Sequence, residues 1–463
     1  MSVLAGQNLV NLHLRGTPAW NHWVEQNPNS QVQICQHYDG LNALNNMWDK
    51  NHAVDFSNRL FPKGGFVFHD VLVEGAIDFR NAIFLGGNVH LGNLTAGDAT
   101  SQLSFADAKF YGDIVFKGRI GPAMVFAGAE FKGQVDFVDC EFKRLLQIFH
   151  AKFMGLKFHA QQTTFEKFAG FKGAEFSCRS VVFSQCQFKE IVNFNLLNFD
   201  QSRVIFERTR FQDIALFDGL KDVENLFELS FQHSAFEKSL ILSSEPIDDF
   251  KPQKFGCVVD LIGTKFAHQL NLERVTCELK RSPIPQTPRF IKKYLKPLVI
   301  FKANNQEDCA RLRRLKELAE VERNQQEALE YKVQEMQAAR FHSTPNWQLP
   351  LEFLCWILSD YRRSVLRPIG CAMLWLFILG PCAYGWLGQG TTLPPYSDRI
   401  ALSGHHLMPL MPSFRGDNIS PTIECLFPDG PNGAYYALSV SLTVHGPLLL
   451  YLTGLALRKK FRS

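Results

Sequence analysis

Apolar and polar residues along this chain follow three periodicities, and each predicts a different kind of element. The first occupies the stretch from Phe105 to Phe236, which holds 24 of the 41 phenylalanines. From Phe171 onward they fall at Phe176, Phe183, Phe188, Phe194, Phe199, Phe206, Phe211 and Phe217. The gaps of 5, 7, 5 and 6 residues occur twice over, giving a 23-residue period. A spacing of five places successive side chains on opposite faces of a flat strand, and well apart around an α-helix. Neither element can gather these rings into one core. A chain that turns a corner between successive phenylalanines can, with each ring pointing inward from one short side of a coil. Rings from stacked coils then lie above one another at the ~4.8 Å inter-strand spacing. The pattern predicts a β-solenoid.

A second regularity accompanies the first. Two residues before every other phenylalanine stands a small side chain: Ala108, Ala129, Cys140, Ala151, Ala174, Cys186 and Thr209, with Leu197 breaking the size rule. The units Gly128-Ala-Glu-Phe131, Asp139-Cys-Glu-Phe142 and Gly173-Ala-Glu-Phe176 resemble the pentapeptide-repeat family. That resemblance implies a right-handed, four-sided β-helix lined by a central Phe or Leu, with Ala or Cys two residues earlier. The 23-residue turn departs from the family's 20, so some corners must be enlarged. It covers roughly half the chain and, since a fold is not an activity, implies little about function.

On this reading residues 1–53 form an N-terminal helical cap, with Leu12, Trp20 and Trp23 on one side of a short helix ended near Pro28. The string Leu14-Arg-Gly-Thr-Pro-Ala-Trp20-Asn-His-Trp23 resembles the segment that precedes pentapeptide arrays. Residues 54–280 form the solenoid, about eight coils and about 40 Å long at the inter-strand spacing. The first coil begins at Val54. Residues 85–102, rich in Gly, Asn and Thr, read as an irregular coil or a loop, with further interruptions at 218–228 and 243–253. Residues 281–305 form a linker. Seven Lys or Arg and no acid lie between Lys280 and Lys302, which fits either a solvated connector or contact with acidic lipid headgroups.

The second periodicity is helical. Residues 306–344 lack Gly and Pro and carry two apolar stripes, Leu312/Leu315/Ala319 and Leu329/Val333/Met336, which drift apart near Asn324. They predict a helical hairpin neck. Its Arg313-Arg-Leu-Lys316 pattern resembles the segment after the solenoid in membrane-bound pentapeptide-repeat proteins.

The third pattern is uninterrupted apolarity within 345–463. Residues 349–358 are too short to cross a bilayer and read as an interfacial helix. Residues 369–387 and 435–457 would extend about 29 and 35 Å as helices, enough to span. Arg362, Arg363 and Arg367 precede the first span, and Arg458, Lys459, Lys460 and Arg462 follow the second. The segment between them carries only Arg399 and Arg415. The positive-inside rule then places solenoid and C-terminus in the cytoplasm and residues 388–434 outside. The strings Tyr361-Arg-Arg-Ser-Val-Leu-Arg-Pro368 and Leu455-Ala-Leu-Arg-Lys-Lys-Phe461 resemble the flanks of the hairpin in the membrane-anchored bacterial branch of the family. The resemblance implies a multi-pass protein of the bacterial inner membrane.

Composition changes this picture little. A net charge of +4 is small for 463 residues. Between Phe105 and Glu228 sixteen basic residues balance sixteen acidic ones, so the rod cannot imitate a DNA phosphate ladder, and no nucleic-acid partner is expected. Eleven cysteines without a C-x-x-C pair suggest neither a disulfide framework nor zinc, and Cys140 and Cys186 read as inert core thiols. Met1 to Gly16 lacks the basic-then-apolar pattern of a cleaved signal peptide.

Candidate chemistry is sparse. Tyr435 to Val444 is followed by His445-Gly-Pro447, without the carbonyl ladder of a potassium filter. His445 inside an apolar span is read as neutral, bonded to the helix backbone or to Ser441. His405, His406, Met408, Met411 and Cys425 are of a type that suits copper, but their spacing matches no metal motif and reads as loop composition. No catalytic, cofactor or metal residue is assigned, and no enzyme activity is expected. The expected function is a membrane-anchored scaffold or protein-interaction module, with the lipid bilayer and an unidentified protein as partners. The alternative is an oligomeric pore built from the C-terminal hairpin of several copies.

Overall fold

A computed structural model describes residues 2–35, 53–199, 201–248, 251–268, 270, 275–283, 301–345, 347–349, 352, 356, 365–388, 393–408 and 419–460. Most of the basic 281–305 linker, most of the expected interfacial helix at 349–358, and Arg362 and Arg363 lie outside these residues. The chain divides into two units, Met1–Ala338 and Ala339–Ser463.

The first unit is a β-solenoid of about eight turns. Its coils are held by three parallel sheets of fifteen, nine and seven strands. Most strands are only two to eight residues long. The beat seen in the sequence is the coil length: Phe84 lies beside Phe110, then Phe131, Phe153, Phe176 and Phe199. These coils therefore contain 26, 21, 22, 23 and 23 residues. Corners absorb the differences while the strands stay in register.

Four columns of stacked rings fill the interior. One runs Phe61, Phe84, Phe110, Phe131, Phe153 and Phe176, with centroids 4.4 to 5.2 Å apart. A second runs Phe142, Phe165, Phe188, Phe211, Phe236 and Phe266 at 4.5 to 5.4 Å. Phe171, Phe194 and Phe217 belong to a third, and Phe183, Phe206 and Phe231 to a fourth. Rings of different columns meet edge to face, as Phe194 meets Phe206 at 5.4 Å and 71°. Both arrangements suit the quadrupole of the ring.

The small residues sit where expected, all buried, and Leu197 is buried with them. Where such a residue is polar, its hydrogen bond goes to the preceding coil. Thr163, Thr209 and Thr264 donate to the carbonyls of Phe137, Phe183 and Phe231 at 3.2, 3.1 and 2.7 Å. A hydroxyl can thus enter the core without an unmet bond.

Two corners of the coil use the left-handed backbone region. Asn58, Asn81, Asp107, Gly128, His150, Gly173, Leu196 and Gly219 mark one, with φ between 50° and 70°. Asp70, Asn93, Gly118, Asp139 and Gln162 mark another. Asn, Asp and Gly tolerate this region best, which explains a composition that otherwise looks like loop. Residues 85–102 are the clearest case. They contain the eight-residue strand Val89–Ala96 and belong to the 26-residue coil, so they are an irregular coil and not a loop. Gly92 is required there, since a Cβ would lie 2.5 Å from the Lys117 carbonyl oxygen of the next coil.

Both ends are covered. At the N-terminal end two helices, Gly6–Leu14 and Thr17–Gln26, are separated at Gly16, whose φ is +82°. Leu12 is therefore on the first helix and Trp20 and Trp23 on the second. The cap is also not purely helical, because Val3–Leu4 and Gln31–Cys35 extend the largest sheet. Trp20 is fully buried and donates its indole N–H to the Leu60 carbonyl at 2.7 Å. Arg59 lies between the rings of Trp20 and Phe56, 5.0 and 5.2 Å away, and donates to His13 Nδ1 at 2.9 Å. Burial, with Arg59 adjacent, pushes His13 down to about 4, so the imidazole stays neutral and can accept.

At the other end, strand Arg281–Pro283 pairs antiparallel with Phe301–Ala303. Two helices follow, Asp308–Val321 and Gln325–Ala339. Leu312, Leu315 and Ala319 are fully buried. On the second helix the buried residues are Ala328, Tyr331, Val333 and Ala338, whereas Leu329 and Met336 are half-buried. The stripe lies one position away from the expected one at its start because Tyr331 buries its ring and donates its hydroxyl to the Val275 carbonyl at 2.7 Å. Arg311 pins this pair to the last coils. Its guanidinium meets Glu228 at 2.8 Å, Asp260 at 2.9 Å, Glu307 at 3.1 Å and Asp308 at 3.5 Å. Asp260 is fully buried and also accepts from Gln232 at 2.7 Å.

Removing Arg311 takes the cation from the fully buried Asp260 carboxylate, whereas Glu228 keeps Arg203 at 3.6 Å. Arg311→Ala is expected to cost about 3–5 kcal/mol, with the first proteolytic cuts falling in 308–339. An unchanged melting temperature and cleavage pattern would contradict this capping role.

Candidate functional site

The solenoid interior offers no room for a ligand among the described coils, because rings and small residues fill it. Its thiols are inert: burial pushes Cys140 and Cys186 up to about 12 and Cys178 up to about 11. The grooves on its outside are open. One, of about 470 Å³, lies over Gly92 between His69, His90 and Lys117. There His69 Nδ1 is 2.7 Å from an Asp70 carboxylate oxygen, in an exposed surface pair.

The second unit contains the polar residues singled out in the sequence. Among its described residues are the helices Leu366–Leu387, Tyr396–Leu407, Ile419–Leu426 and Gly433–Lys460. The first and last are long and apolar enough to cross a membrane. Rows of large apolar side chains face outward on both, including Phe377, Ile378 and Trp386 on one and Val440, Val444 and Tyr451 on the other.

Between them runs a seam of aromatic and hydroxyl groups. Tyr384 Oη lies 3.3 Å from Ser439 Oγ, and His406 Nε2 lies 3.3 Å from Tyr435 Oη. Thr443 donates to the Ser439 carbonyl at 2.8 Å. His445 Nδ1 is 2.6 Å from the Ser441 carbonyl oxygen and 3.3 Å from Ser441 Oγ. The Nδ1 bond of the imidazole therefore stays within its own helix, on the backbone and on Ser441 as read from the sequence.

The segment between the long helices differs from the expected loop. His405 and His406 lie in the last turn of Tyr396–Leu407, and Cys425 lies on Ile419–Leu426. Met411 and Arg415 lie outside the described residues. Among the described residues no group of three or more His, Cys, Asp or Glu is placed to hold a metal ion.

Helix 396–407 packs against both long helices, at positions where glycine removes a side chain. A Cβ on Gly446 would fall 1.6 Å from the Leu407 carbonyl oxygen, and one on Gly380 would fall 2.5 Å from Ser403 Oγ. Pro381 cannot donate to the Phe377 carbonyl, the helix takes a π turn at Trp375–Leu379, and Tyr396 donates its hydroxyl to that freed oxygen. Leu402, Ser403 and Leu407 are fully buried. The sequence signal for this packing was the pairing of Gly380 and Gly446 with the small Ser403-Gly404, which hydropathy alone does not register.

No protein-family model, curated protein or solved structure matches this chain.

Proposed function

We propose that this protein is a membrane-anchored scaffold, without catalysis, whose solenoid presents its outer sides to a protein partner. The solenoid is of the pentapeptide-repeat kind, right-handed and four-sided, with corners enlarged to 21 to 26 residues per coil. One observation carries the reading. The core is packed solid with phenylalanine, so recognition has only the outer faces to work with, and repeat surfaces usually function by binding.

The membrane half rests on the two long apolar helices. Only 22% and 28% of their most apolar windows is buried within the protein, so most of that surface requires an apolar surrounding. The basic residues flanking them support an inner-membrane placement in bacteria, with solenoid and C-terminus cytoplasmic.

A second reading, an oligomeric pore, is favoured by the position of helix 396–407. Its carboxyl end meets Gly446, thirteen residues into the last helix, or about 20 Å at 1.5 Å per residue. That is the depth of a membrane interior, and irregular backbone there is tolerated where it is buried in protein or lines a water-filled cavity. One chain supplies too few helices to enclose a channel, so this reading requires about four copies.

Two measurements test these readings. In intact cells, an impermeant maleimide should label Asp429→Cys and spare Ser463→Cys, and the opposite result would reverse the orientation. In planar bilayers the purified protein should be silent, with a monomer or dimer mass in detergent. Reproducible conductance altered by His445→Ala would overturn the scaffold-only reading.

A further inference from the structure

The nine-stranded sheet carries an outer face unlike the rest of the solenoid. Its outward column runs Val125, Gln147, Gly170, Asn193, Leu216 and Ile241, each the register partner of the next. Two phenylalanines leave the core to join it. Phe149 and Phe168 are half-buried on the outside, and their rings close over Gly170, Phe149 from the preceding coil and Phe168 from the same coil. A Cβ on Gly170 would lie 2.3 Å from the Phe149 ring and 2.7 Å from the Phe168 ring. Around them Leu145, Ile191 and Ile241 are 36%, 39% and 45% exposed. The result is an apolar strip on an outer wall of a solenoid whose other phenylalanine columns all point inward.

The charges at one long edge of this strip are already paired. Lys167 meets Glu190 at 2.7 Å, Lys189 meets Glu166 at 2.7 Å and Lys238 meets Asp213 at 2.8 Å. Arg144 donates to the carbonyls of Asp98 and Ala99 at 2.6 and 2.9 Å. An anionic lipid surface is attracted by uncompensated basic residues, and these are compensated.

Dimensions select among protein partners. Five inter-strand steps from Val125 to Ile241 give a length of about 24 Å, and the four-residue rise from Leu145 to Phe149 gives a width of about 13 Å. The resulting area, about 300 Å², falls well below the ~800 Å² per partner of a stable protein–protein interface. A second copy lying flat on this face would find too little surface. A single α-helix is about 10–12 Å across, and sixteen residues of it extend about 24 Å.

We propose that this strip is the docking site for one amphipathic helix of a partner protein, with apolar residues at i, i+3, i+4 and i+7 set across Phe149 and Phe168. The inference rests on the scaffold reading and names the side of the rod and the form of the partner. A photo-crosslinking benzoylphenylalanine in place of Asn193 tests it in the full-length chain within cells, with the same residue in place of Val182 on the largest sheet as control. The adduct at position 193 should map, by mass spectrometry of its peptides, to one segment of another protein with that apolar spacing. Leu145→Ser with Ile241→Ser should cut its yield about tenfold, corresponding to about 1.4 kcal/mol, and leave the melting temperature unchanged because both residues face outward. Adducts with lipid, with a second copy or with a segment lacking the spacing, or no adduct, would overturn the proposal. A protein adduct at 182 alone would remove the strip and keep the scaffold. Protein adducts at neither position would remove both.

Discussion

The constraint on which this structure depends is a coincidence of two lengths. Parallel strands stack about 4.8 Å apart, and that is close to the separation at which offset aromatic rings attract. A phenylalanine repeated at the same place in every coil is therefore held by its backbone ladder at a favourable ring distance. Phe165 and Phe188 are 4.6 Å apart and 5° from parallel, in register through the strands that carry them. The remaining features follow. Inward residues next to the rings must be small, and corners must accept left-handed backbone. Open ends must be covered, because the last coil would otherwise expose its rings and strand edge to water. Trp20 with Arg59 does so at one end and Arg311 with its helix pair at the other.

Much of this was legible because the beat is long and its residue type is distinctive. The sequence failed where one residue type serves two purposes. Gly92 and Asn93 resemble loop residues, yet in the strand Val89–Ala96 the first permits close backbone approach and the second turns a corner. Phe149 and Phe168 look like additional core residues. Their spacing held the signal, since Phe149 precedes Phe153 by four residues and Phe168 precedes Phe171 by three, gaps absent from the 5, 7, 5, 6 beat. These two off-beat rings face outward.

The C-terminal helices were legible in a different way. Hydropathy located two long apolar segments, with starts at Leu366 and Gly433 that precede the expected ones by three and two residues. It missed helix 396–407, whose contacts depend on glycine notches and on a carbonyl freed by Pro381. Such packing is written in the absence of side chains, at Gly380 and Gly446, and a scale that sums side-chain properties does not register it. The same limit explains why the partner of His445 could be read from the sequence while that of His406 could not. The partner of His445 is four residues away in its own helix, whereas the phenolic oxygen near His406 belongs to Tyr435.

The central claim, a core of rings stacked at a 23-residue period, is tested most directly by fixing the register chemically. Lys152 and Glu175 are register partners on exposed positions of adjacent coils, within the Cα separation of about 4.4–6.8 Å that a disulfide requires. Lys152→Cys with Glu175→Cys should oxidise to an intramolecular disulfide between those two positions in the folded chain. Lys152→Cys with Lys172→Cys, the pair that a 20-residue coil would bring together, should not. Bonding of the second pair in place of the first would contradict the 23-residue coil and the ring columns built upon it.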